Sequence, residues 1–158
     1  MAYGSMVWDN CSSDCVQSIL KLQKKAALII LEADRTTPSI TLLNTLNWLP
    51  FTRQSQIKWN TLVYKRVNTS VNTPNYIDRL LLQNSDIHQR ETRYSNTNLV
   101  CPRFTRKTEG GHTFTARSSI EWNSIDMDIR KKTSVASFKS NLYKSFLEKQ
   151  KATMIMSL

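Results

Sequence analysis

The chain has 158 residues, enough for one modest domain with a real core. Three Gly and four Pro leave little room for an all-β architecture built on tight turns. A net charge of +10 favours polyanionic partners, nucleic acid first and an anionic membrane second, against the plain alternative of a lysine-rich solvated surface.

Apolar residues at Val16, Ile19, Leu20, Ala27, Ile30 and Leu31 keep a helical period. They predict a helix from Ser13 to about Ala33, with Ser13 as N-cap and Asp14 at the positive end of the dipole. Lys21, Gln23, Lys24 and Lys25 fall largely on its other face. A second, shorter helix is expected from Thr37-Pro38-Ser39, with Thr37 capping, Pro38 at the first helical position, and Leu42, Leu43 and Leu46 inward. Pro50 disfavours helix at the residue before it, so a turn falls near Trp48-Leu49. A third helix is expected from about Thr52 to Val67, facing inward through Ile57, Leu62, Val63 and Val67, with Trp59 and Tyr64 flanking. Thr73-Pro74 starts a fourth short helix through Leu82.

From Gln83 to about Gly111 the chain is polar and basic and has no helical period. Leu99 to Phe104 reads as a short extended segment that Pro102 confines to an edge, and Gly110-Gly111 as a turn closing a loose hairpin onto His112-Thr113-Phe114. Helical signal resumes from Thr115 to Asn123 and breaks at Asp126-Met127-Asp128. A last helix is expected from Val135 to about Lys149, capped by Ser134, with Val135, Phe138, Leu142 and Phe146 as its stripe. The expected fold is mainly α, a single irregular domain of about six helices with at most one short β-hairpin. Its parts are a helical region 1–82, a basic loop region 83–112, C-terminal helices 113–150 and a disordered tail 151–158.

The candidate chemistry is sparse. Cys11, Cys15 and Cys101 are odd in number, and the first residues hold no secretory leader, which points to a reducing interior, nucleus or cytoplasm. The longest apolar run, Ala26 to Leu31, falls far short of the ~20 residues that span a bilayer. With His112 the thiols could form a tetrahedral zinc set, but no second close pair exists and free thiols are the better reading. His88 and His112 sit in no local nucleophile motif. Asp126 and Asp128 are two apart, which on a helix separates their faces, so a capping or solvated role is expected rather than a metal pair. No catalytic residue, metal ligand or cofactor is expected.

The candidate interface is the basic middle. Arg90, Arg93, Arg103, Arg106, Lys107 and Arg117 are opposed there only by Glu91 and Glu109, with Tyr94, Phe104 and Phe114 interleaved. Arginine forks fit phosphate, and aromatic faces stack on unpaired bases. The bland alternative is a solvated loop whose arginines pair with the rest of the domain. Lys21, Lys24 and Lys25 add a second basic ridge, although a solvated helix face explains them equally well.

Several phrases then occur in a familiar order: Tyr3-Gly4-Ser5-Met6-Val7-Trp8, Leu22 to Ala27, Leu46-Asn47-Trp48-Leu49-Pro50 and Leu62-Val63-Tyr64-Lys65. His88 to Arg93, Asn98-Leu99 with Pro102-Arg103, Trp122-Asn123-Ser124-Ile125 and Ser137-Phe138-Lys139 follow. Together they resemble the region after the polymerase core in non-LTR (LINE-type, jockey-like) retrotransposon reverse transcriptases, over about Tyr3 to Phe146. Asp126 departs from the proline usual there, and Thr69 from a frequent glycine. The resemblance implies a parent RNA-directed DNA polymerase whose palm aspartates bind two Mg²⁺ ions. No Asp-Asp pair occurs in this chain. The implied identity is therefore a non-catalytic, thumb-side fragment that contacts RNA or DNA through phosphates. The alternative is an inert or protein-interaction fragment whose apolar face packed on the missing palm.

Overall fold

The computed structural model describes residues 12–68, 75–87, 97–103 and 113–155. The chain is mainly α. Among the described residues there are eight helices: α1 (Ser13–Leu31), α2 (Ser39–Thr45), α3 (Phe51–Asn68), α4 (Asn75–Leu80), α5 (Asn84–Ile87), α6 (Phe114–Asn123), α7 (Met127–Arg130) and α8 (Val135–Ile155). They gather into two compact units, one from the ranges 1–58 and 140–158, the other from 59–139.

In the first unit, α1 packs against α2. Ser12, not Ser13, holds the N-cap position of α1. The helix stops at Glu32, whose φ of 48° is left-handed, and the next amide, of Ala33, closes back on the Leu28 carbonyl at 3.2 Å. Asp34 then makes a tight turn, its Oδ1 accepting from both the amide and the hydroxyl of Thr36 at 2.7 Å. Thr37 is drawn into this turn through its amide, bonded to the Asp34 carbonyl at 3.0 Å. Pro38 with its extended backbone therefore takes the cap position of α2, in place of the expected Thr37.

Leu42 and Leu43 are buried as expected, and the chain reverses at Asn47, whose φ of 52° suits an asparagine. The backbone of Leu49 to Phe51 is held by amides. The Leu49 carbonyl accepts from Gln23 Nε2 and Gln54 Nε2, both at 2.8 Å, while Gln23 Oε1 accepts from the Phe51 amide at 3.0 Å. The C-terminal stretch of α8 locks the same loop. Tyr143 donates to the Asn47 carbonyl at 2.7 Å, Lys151 to Asn47 Oδ1 at 2.8 Å, and Gln150 to the Trp48 carbonyl at 3.1 Å. These bonds carry α8 on to Ile155, past the end expected near Lys149.

The core of the second unit is Val63, Tyr64, Ile77, Leu81, Leu99, Ala116, Trp122, Ile125 and Phe138. Tyr64 stacks on Phe138 with ring centroids 4.4 Å apart, and Trp122 lies 6.0 Å from the same ring. The Tyr64 hydroxyl donates to the Lys132 carbonyl. Along α3 the expected inward face is not the observed one: Ile57, Leu62 and Val67 are half-buried, whereas Ser55, Asn60 and Thr61 are buried with Val63 and Tyr64. Those positions lie round most of the helix, which therefore has no single apolar stripe to read. α4 ends at Leu80 rather than Leu82, and α5 is one helical turn inside the stretch read as non-helical.

The expected hairpin lies partly outside the described residues. Its second arm is corrected, because Thr113 caps α6, its hydroxyl accepting from the Ala116 amide at 3.4 Å, and Phe114 opens that helix. Ser134 caps α8 as expected, accepting from the Ser137 amide at 3.1 Å, and Phe138 and Leu142 are the fully buried members of its stripe.

Candidate nucleic-acid interface

Arg90, Arg93, Arg106 and Lys107 lie outside the described residues, as do Tyr94 and Phe104. Arg103 is exposed at the end of the extended segment 97–103. Arg117 is in α6, where its Nε meets Glu121 Oε1 at 2.9 Å one turn along, so part of its charge is answered within the helix. Phe114 packs against Trp59, with ring centroids 5.1 Å apart and planes tilted by 42°. In the first unit Lys21, Lys24 and Lys25 sit at spacings of three and one, sharing one side of α1; Lys25 is exposed and Lys24 half-buried.

The segment that presents Arg103 is held on both edges. On one, Val100 N–H donates to the Leu82 carbonyl at 2.8 Å and Asn84 N–H to the Asn98 carbonyl at 3.0 Å, around an isolated antiparallel bridge between Gln83 and Leu99. On the other, the side chain of Asn123 imitates a strand: its Oδ1 accepts from Leu99 N–H at 2.9 Å and its Nδ2 donates to the Leu99 carbonyl at 2.8 Å. Trp122 Nε1 adds a bond to the Thr97 carbonyl at 2.9 Å. Arg130 is buried beneath, donating to Asn98 Oδ1 at 2.8 Å and Thr97 O at 3.2 Å, with its guanidinium 5.9 Å from the Trp122 ring. This cation, not singled out in the sequence, serves the scaffold. The Trp122-Asn123 and Asn98-Leu99 phrases are thus two sides of one brace, and Leu46 to Pro50 is the loop braced in the first unit.

A further feature of the first unit is only partly legible in the sequence. Two adjoining hollows, of about 340 Å³ and 200 Å³, share Ile40 and Pro50 as lining residues. Lys21 and Lys24 of α1 flank one, and Arg53 of α3 and Lys149 of α8 flank the other. The four cations come from three stretches of the chain: Lys21 and Lys24 belong to the basic ridge read in the sequence, whereas no local motif joins Arg53 and Lys149 to them.

Cys15 and Cys101 are exposed free thiols, whereas Cys11, His88 and His112 lie outside the described residues. Asp126 takes the N-cap position of α7 and, like Asp128, is exposed. Among the described residues no three His, Cys, Asp or Glu side chains converge where a metal ion could be held. No described helix is long and apolar enough to cross a membrane. No protein-family model, curated protein or solved structure matches the chain.

Proposed function

We propose that this chain is a non-catalytic helical segment of a non-LTR retrotransposon-type RNA-directed DNA polymerase, and that it grips RNA or DNA nonspecifically through phosphates. The observation that carries the binding is the charge, 22 Lys and Arg against 12 Asp and Glu. The ordered phrases support the ancestry, and the missing Asp-Asp pair argues against nucleotide transfer by this chain. Binding would be weak, with a dissociation constant of roughly 10⁻⁴–10⁻⁶ M at physiological salt. If about four duplex phosphates are engaged, log K falls with log salt at a slope near −3.6. Fluorescence anisotropy with a labelled oligonucleotide measures this, and an absent or salt-independent signal rejects the proposal.

A second reading, a protein-interaction fragment, draws on α1. Leu22, Ile29 and Ile30 are 51%, 77% and 55% exposed and lie along one side of that helix. Ile30, expected to point inward, belongs to this outer stripe. Under this reading, size-exclusion chromatography gives concentration-dependent dimers or larger species that Ile29→Lys disperses. A monomer at all concentrations counts against it.

A further inference from the structure

The two neighbouring hollows that share Ile40 and Pro50, taken together as one furrow, pair an apolar lining with a ring of cations. Their floor is aliphatic: Leu20, Leu43, Ile40 and Pro50 line the larger part, and Ile40 and Pro50 continue into the smaller. Ile40, which lines both parts, is a branched apolar side chain left 36% exposed. Four cations line this furrow, and among the described residues no Asp or Glu does. The larger part falls within the size of ligand clefts, which run from about 300 Å³ upward. Three elements, α1, α3 and α8, contribute the cations, so the positive potential extends along the furrow rather than sitting at one point.

We propose that this furrow is a docking site for an acidic amphipathic segment of a partner protein, with aliphatic side chains seated on Ile40, Pro50, Leu20 and Leu43 and carboxylates facing Lys21, Lys24, Arg53 and Lys149. Charge complementarity selects the partner: four cations with no Asp or Glu among the lining residues call for a segment rich in carboxylates. Phosphates alone would leave the aliphatic floor uncovered, whereas the apolar side of an amphipathic segment covers it. Phe146, which lines the smaller part, has the Arg53 guanidinium over its ring at 5.2 Å. Arg53 is further fixed by donating to Gln56 Oε1 at 2.8 Å, so its position costs little to organise on binding. This inference shares Lys21 and Lys24 with the basic ridge of α1, so its test turns on Ile40, which the phosphate contacts do not use.

The probe is a fluorescein-labelled peptide with leucines at helical spacing and glutamates elsewhere. It is compared with a permuted peptide of the same composition lacking the stripe, and with a labelled oligo(dT), each titrated into the full chain. The expected result is saturable binding of the striped peptide, at least about tenfold tighter than the permuted one. Ile40→Gln, which changes no charge, weakens the striped peptide about tenfold and leaves oligo(dT) unmoved. Lys21→Glu combined with Lys24→Glu weakens it further, with circular dichroism reporting on the fold; if that variant unfolds, Ile40→Gln and the peptide comparison decide alone. Equal binding of both peptides, no saturable binding, or loss of oligo(dT) rather than peptide on Ile40→Gln overturns the proposal.

Discussion

Asn123 shows how much one side chain can hold. Its amide satisfies both backbone groups of Leu99, a residue only 1% exposed, so truncation would strand a buried donor and a buried acceptor. Asn123→Ala is expected to cost about 1–3 kcal/mol, read as a lower urea midpoint at constant slope. Asn123→Asp should not rescue it, because a carboxylate cannot donate to the Leu99 carbonyl. Asp34 offers a test in pH. The Thr36 amide, and then its hydroxyl, hold this carboxyl below the ordinary 3.8, with burial opposing them only weakly. Because the folded value is depressed, the stabilisation is complete above the ordinary aspartate value and is lost as pH falls through the folded one. An NMR titration should place the Asp34 midpoint below 3.8, with Thr36→Val moving it upward; a midpoint at or above 3.8 in the native chain contradicts this.

Among the elements, α8 was the most legible and α3 the least. Phe138 and Leu142 of α8 are buried where a spacing of four along an apolar stripe puts them. Phe138 stacks on Tyr64 and meets Trp122, so Phe138→Ala should cost about 3–5 kcal/mol, measured by chemical denaturation. A loss below about 1 kcal/mol would mean that the aromatic cluster contributes little. Periodicity failed on α3 because burial there includes Ser55, Asn60 and Thr61, polar residues that no apolar pattern marks. The end of α8 was missed for a related reason. Gln150 and Lys151 are polar, and their value lies in bonds to Asn44, Trp48 and Asn47, about a hundred residues earlier.

For the molecule as a whole, charge is the property that bears on function. Arg103 and Arg117 were read as equals in the sequence, yet one is exposed and the other meets Glu121. If both faced phosphate, each removal would reduce the magnitude of the salt slope by about one. The geometry instead predicts that Arg103→Gln reduces it by about one and that Arg117→Gln changes it by much less. Equal effects would show that the Glu121 pair opens on binding.

The amino-acid order alone determined the mainly helical character, the positions of most helices and the surplus of positive charge, because propensity, spacing and formal charge are local or additive. Tertiary structure alone decided which cations stay at the surface and which, like Arg130, are spent on the scaffold. It also turned Asn123 into a substitute strand and brought Arg53 and Lys149 beside the Lys21 and Lys24 ridge around aliphatic residues. Hydrogen-bond partners and burial depend on residues far apart in the chain, and no window along the sequence contains both members of such a pair.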